Sequence, residues 1–222
     1  MNPPPHWVKY PRTPLLPWSP KADEDDLRLT DFSELLGKEV IVTEKLDGEN
    51  TTLYREGLHA RSLMSGAHPS RTWVGGLHGR IGALLPERWR VCGENMFAKH
   101  SLTYDDLASY YYVFSVWNEH DHCLNWDETK EWAALLELPT PPELYRGVFD
   151  EDRIRDLKVD TQRQEGFVLR SVEGFPFDAF ARRVCKWVRP AHVQTSKHWM
   201  FETLVPNRLA QNPSRARRGP MP

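Results

Sequence analysis

The stretch VTEKLDGENTTLYREGLHARS, residues 42–62, places a lysine, an aspartate, a glycine and an asparagine within Lys45–Asn50, directly behind a β-branched run. Val40 to Glu44 reads as a strand, and Asn50–Tyr54 and Leu58–Ser62 read as a hairpin about Arg55-Glu56-Gly57. The unit is strand, tight turn, strand, strand, with Lys45 on a strand edge between the carboxylates of Glu44 and Asp47. An amine becomes a nucleophile only by losing its proton, so its ordinary pKa of about 10.4 must fall, through burial or a neighbouring cation. A cleft would supply the burial. Gly48 lacks the Cβ that would obstruct a phosphate or sugar, and Asp47 is placed either to bond a ribose or to support the turn. Taken alone, Lys-x-Asp-Gly also fits an Asp-Gly hairpin turn beside an exposed lysine, so the rest of the chain decides.

Outward from this unit, short apolar runs predict strands at 89–95 (WRVCGEN), 110–117 (YYYVFSVW), 166–171 (GFVLRS) and Val184–Val188. Helical spacing predicts a helix over 72–85, stopped by Pro86, and another capped by Asn125 or Asp127 and running through Leu138. Many short strands with few helices indicate an α+β fold of antiparallel sheets enclosing a cleft. The expected organisation is a Pro-rich strap over 1–25, pinned by Trp7, Tyr10 and Trp18, a folded body over 26–205, and a flexible basic tail over 206–222.

A net charge of −2 over 222 residues argues against an indiscriminate nucleic-acid binder. The charge is uneven, however: residues 182–222 hold nine Lys/Arg against Glu202 alone, which leaves the remainder at −10. No run approaches the roughly 18 apolar residues of a membrane span, and the N-terminus lacks a secretory core, so a cytoplasmic location is expected. Cys92, Cys123 and Cys185 are too few and too scattered for a disulfide framework and read as reduced, buried thiols. His120, His122 and Cys123 crowd together without a fourth ligand, so a polar loop is expected there rather than a metal site.

The company Lys45 keeps is Gly93-Glu94-Asn95 at the end of one strand, Phe114 in another, Glu165-Gly166 opening a third and Lys186 in a fourth. In order and spacing, these elements over about residues 40–190 resemble the covalent nucleotidyltransferase superfamily, and most closely its ATP-dependent RNA ligases. The resemblance implies that the sheets enclose a nucleotide cleft and that Lys45 forms a lysyl-AMP phosphoramidate. It further implies that Glu44 recognises adenine, Asn50 contacts phosphate or a hydrated metal, Arg61 contacts phosphate, and Glu94 binds the ribose hydroxyls. By the same likeness Phe114 stacks on adenine, Glu165 supports a divalent metal, and Lys186 sits on the α-phosphate. The implied cofactors are ATP and Mg²⁺ or Mn²⁺, and the implied partner is RNA with 5'-phosphate and 3'-hydroxyl ends, with room for an accessory protein.

One element departs from the pattern. Relatives carry two lysines in the last motif, whereas Lys186 is followed by Trp187 and Val188, leaving Arg183 or Arg189 as the second cation. Trp187, His192, His198 and Trp199 fit either RNA contact or core completion. The alternatives are a minimal DNA ligase and a noncatalytic nucleotide-binding regulator. A capping guanylyltransferase is expected to need a further C-terminal domain that Val205–Pro222 is too short to form.

Overall fold

The computed structural model describes residues 4–20, 26–190 and 204–211. His192, His198, Trp199 and the arginines at 215, 217 and 218 lie outside these. Ten strands form two antiparallel sheets. The first sheet joins β1 (Glu39–Lys45), β7 (Glu143–Val148), β8 (Gly166–Ser171) and β10 (Val184–Val188) in the order β10-β8-β1-β7. The second joins β2 (Glu49–Leu53), β3 (Leu58–Ala60), β4 (Arg90–Asn95), β5 (Tyr111–Trp117), β6 (His122–Cys123) and β9 (Phe175–Pro176) in the order β3-β2-β4-β5-β6-β9. The helices are α1 (Thr72–Ile81), α2 (Trp126–Leu135), α3 (Glu151–Arg155) and α4 (Phe180–Arg183).

The β-branched run of β1 is buried from Val40 to Val42 because the strand lies inside its sheet, paired with β7 on one side and β8 on the other. Lys45 is therefore not on an edge. It ends an inner strand, opposite Gly166. Val40 and Val42 pack behind the sheet with Leu16, Leu35, Phe149, Ile154, Phe167, Leu169 and Cys185. Behind the second sheet, α1 and α2 bury Val74, Leu77, Ile81 and Ala133 against Leu53, Val91 and Val116. Between the sheets lie Cys92, Trp117, Cys123, Phe175 and Phe180.

Of the expected helices, α1 takes in its three glycines and stops at Ile81, continuing as a single 3-10 turn. Asn125 caps α2 through a capping box with Glu128, and the helix ends at Leu135, short of Leu138, where Glu137 takes a positive φ of 57°. Trp7 stacks on Tyr54 and Trp18 packs on Phe32, holding the described part of the N-terminal segment to the body. Leu16 N–H donates to the Lys186 carbonyl, and Lys186 N–H donates to the Pro14 carbonyl, so the strap covers the free edge of β10. At the other end, residues 206–210 are docked rather than trailing. Asn207 is 1% exposed and its Nδ2 donates to the Met96 and Ala98 carbonyls, so the expected start of a tail at 206 falls inside a packed segment. All three cysteines are free and buried. Among the described residues no helix is long and apolar enough to cross a membrane, and no three or more His, Cys, Asp or Glu group as a metal site.

Candidate active site

A cleft of about 1170 Å³ runs between the sheets. Leu46 and Gly48 line it at the turn where the chain leaves β1 and enters β2. Lys45 reaches into the cleft, and its Nζ donates to Glu165 Oε2 at 2.5 Å. The pair is largely withdrawn from water, with side-chain exposures of 22% and 7%. Burial pushes the Lys45 pKa down, but the carboxylates of Glu165, Glu94 and Asp47 outweigh it, and the net direction is up. Burial alone therefore does not prime this amine as the sequence led us to expect. Without ligand, the surrounding acids keep it protonated.

Glu94 stands on β4 with Asn50 of β2 as its register partner, and it accepts a hydrogen bond from Gly48 N–H at 3.1 Å. Burial first, and Glu165 and Asp47 in addition, push its pKa up to about 8 against the pull of Lys45. Asn50 lines the cleft, and its Oδ1 is buried without a hydrogen-bond partner. A buried acceptor left this way is costly, so it marks a place completed by something other than the chain. Lys186 enters from β10. Burial and the nearby charge of Lys45 lower its pKa, despite Asp26 and Glu165. Arg61, just past β3, is exposed at the mouth and faces Arg12 of the strap. Phe114 lines the far end, at an irregularity in the β4–β5 register that shifts between Cys92 and Gly93. Glu44 is 4% exposed, and its Oε2 accepts from Gln164 Nε2 at 3.2 Å.

Asp47 takes the second of the two parts the sequence offered, and Gly48 meets a constraint the sequence did not show. Asp47 Oδ2 accepts from Ser101 N–H at 2.8 Å, Ser101 Oγ at 2.7 Å and Leu102 N–H at 2.7 Å. It holds a loop and does not line the cleft, which leaves the turn-supporting alternative rather than the ribose. Gly48 does line the cleft, but a Cβ there would lie 2.6 Å from the Asn95 carbonyl and 2.8 Å from Met96 Sδ. The glycine is thus demanded by β4 itself.

Neither candidate for the second cation of the last motif lines the cleft. Arg183 pairs with Glu34 and Glu173. Arg189 follows the end of β10 and donates to the Thr161 carbonyl and to Ser101 Oγ. Trp187 stacks on Phe167 at 5.8 Å, on the core side of the first sheet. Residues that motif reading missed also reach the cleft. Tyr10 and Arg12 arrive from the strap, and Arg71 is bound to Glu49 in a pair with 11% exposure on each side. In the sequence Tyr10 reads only as an aromatic pin, and Arg71 follows a His-Pro-Ser turn that carries no chemical signature.

The arrangement is an amine ringed by carboxylates, flanked by two basic side chains and an unsatisfied amide oxygen, with an aromatic slot beyond. That composition suits a phosphorylated, aromatic ligand. The RNA ligase family model matches residues 38–188, and the chain belongs to the RNA ligase family. Its fold is similar to that of the RNA ligase of Naegleria gruberi. The form solved with PPi is 16% identical at a TM-score of 0.57, over 86% of this chain and 58% of that one. A mutant solved with AMP and Mn is 15% identical at a TM-score of 0.56, with the same coverage. Another mutant, with ATP and Mn, gives 16% and 0.52, over 73% and 52%. The chain thus spans little more than half the length of these solved relatives. No curated protein matches.

Proposed function

We propose that this chain is an ATP-dependent RNA ligase that joins a 3'-hydroxyl to a 5'-phosphate through lysyl-AMP and adenylylated RNA. The observation that carries the reading is the buried Lys45–Glu165 pair beside the unsatisfied Asn50 Oδ1, within a chain of the RNA ligase family. In the first step Lys45 Nζ attacks the α-phosphorus of ATP. An N–P bond forms, the P–O bond to pyrophosphate breaks, and the proton of the amine leaves by way of Glu165 Oε2. Next an oxygen of the RNA 5'-phosphate displaces the amine from phosphorus, and Lys45 is reprotonated. Finally the 3'-hydroxyl attacks that 5'-phosphate and AMP departs.

Negative charge grows on nonbridging oxygens in each displacement, and Lys186 and Arg61 are the side chains that would meet it. Glu94 is assigned to the ribose, Phe114 to the adenine face and Glu44 to the adenine edge. A divalent ion arriving with the triphosphate would neutralise phosphate charge and oppose the carboxylates that hold the amine protonated. Glu165, and Asn50 through water, are the residues that fit it, because an ion bound largely by phosphates and water asks little of the protein. RNA rather than DNA as substrate rests on the likeness around residues 49–52 and 90–95. Three buried free thiols support a reducing, cytoplasmic setting. An accessory substrate-binding protein is part of the same proposal.

The test is incubation with each α-labelled NTP followed by denaturation, and then nicked duplexes of either sugar type. A ligase retains an acid-labile label from ATP and seals the RNA nick. Label lost on denaturation would mark a noncovalent regulator, and sealing confined to DNA would mark the other ligase class.

A further inference from the structure

The strap crosses from one sheet to the other. On the second sheet it is held at Trp7, which stacks on Tyr54 at 5.4 Å and donates from Nε1 to Glu56, and at Val8, whose N–H donates to the Tyr54 hydroxyl. On the first sheet it is held at Pro14–Leu16 along β10, with Leu15 and Leu16 fully buried. Between these anchors Tyr10 turns into the cleft. Its ring meets Phe114 at 5.2 Å and Phe180 at 5.3 Å, both edge-on, and packs with Val168. Its phenol end faces the Ser115 side chain, Arg170 and the buried thiols Cys92 and Cys123, and burial raises its pKa well above the ordinary phenol value. A planar ring thus fills the space against the aromatic assigned to adenine, edge to face rather than stacked, with a polar tip toward the Ser115 hydroxyl. A base stacked on Phe114 would compete for that space.

We propose that Tyr10 occupies the adenine slot of the nucleotide-free chain, and that ATP enters only when residues 9–13 of the strap withdraw. The inference rests on the ligase reading of Phe114 and deepens it. The two anchors differ in kind. Leu15 and Leu16 sit in the core, whereas Trp7 and Glu56 meet at the surface, so the Trp7 end is the one that opens. A slot filled about nine-tenths of the time by its own chain weakens apparent affinity about tenfold.

The experiment measures ATP binding, lysine adenylation and hydrogen exchange of residues 5–13 on the full chain, as wild type, Tyr10→Ala and Trp7→Ala. Emptying the slot by Tyr10→Ala is expected to lower the apparent KM for ATP about tenfold. Trp7→Ala, which leaves the slot intact, should lower it less, and exchange over 5–13 should rise when ATP binds the wild type. An unchanged or raised KM in Tyr10→Ala would make Tyr10 a fixed wall and overturn the proposal, as would unchanged or slower exchange over 5–13 with ATP bound. Should Tyr10→Ala fail to fold, Trp7→Ala and the wild-type exchange decide alone. Absence of ATP binding in every form would remove the nucleotide reading itself, an outcome distinct from ATP binding beneath an unmoved strap.

Discussion

The two ends of the cleft are completed by different means. At the lysine end, the chain gathers an excess of acid and leaves a buried acceptor unsatisfied: Lys45 is held protonated by three acids, Glu94 is pushed toward neutrality, and Asn50 Oδ1 has no partner. At the aromatic end, the chain covers Phe114 and Phe180 with its own Tyr10. The difference follows from the physics of each surface. Apolar area is nondirectional and any ring of suitable size can bury it, so a loop suffices. A cluster of buried charges needs counter-charge at defined points, and the one charge that the strap's described residues bring to the cleft, Arg12, faces Arg61 instead.

The sharpest way to break this contrast is at the amine. Lys45→Ala should abolish covalent labelling by α-labelled ATP, a loss of at least about 10³-fold, whereas a change at the aromatic end alters only affinity. An acid-labile adduct that survives in the variant would remove Lys45 from the chemistry. Glu165→Gln tests whether the acids are what keeps the amine charged. With its strongest neighbouring charge gone, the Lys45 pKa falls, so any residual adenylation, expected to drop about 10²-fold at its optimum, should rise at lower pH than in the wild type. A pH–rate profile that does not move toward acid would contradict the electrostatic account.

Two smaller effects separate structural from functional acids. Asp47→Ala strands the Ser101 and Leu102 amides and should cost about 2–3 kcal/mol of stability by denaturant titration. If stability holds and only nucleotide binding falls, Asp47 belongs to the site after all. Glu94→Gln should do the reverse. The folded carboxyl has a pKa of about 8 against an ordinary 4.5, so the folded state binds the extra proton between those values, and stability drains away as pH rises through that window. The glutamine removes this penalty. We expect a Tm higher by about 2–4 °C at pH 8, little gain below pH 4.5, and weaker ATP binding throughout.

Much of the cleft was legible in the sequence because its residues sit in strands whose hydrophobic runs announce them. Lys45, Glu94, Phe114, Glu165 and Lys186 each precede, follow or interrupt such a run, and the structure brings all five to one cavity or its rim. What strand patterns do not carry is direction: the spacing leaves Asp47 open between a ribose and the turn until its bonds to Ser101 and Leu102 appear, and it gives no sign that Gly48 lies against Asn95 and Met96. The strand β7 escaped notice because Glu143–Val148 is half-exposed and carries Tyr145, Arg146 and Gly147, a poor period-2 pattern on an edge of the sheet. Arg183 and Arg189 were offered for their charge alone, and both are spent on local partners. The place of Tyr10 was out of reach for another reason: it depends on a strap with no regular periodicity, positioned by contacts far along the chain at Tyr54 and Lys186.

The crossing from β1 into β2 carries one more consequence. The short turn at 46–48 passes from sheet to sheet just beyond Lys45, and the strap spans the same two sheets at the mouth. The cavity is therefore the inside of a ring drawn by one polypeptide, closed below by covalent bonds and above by a seam at Trp7. Parting the two sheets at the turn would require breaking the chain, whereas parting them at the seam would cost only ring contacts and hydrogen bonds.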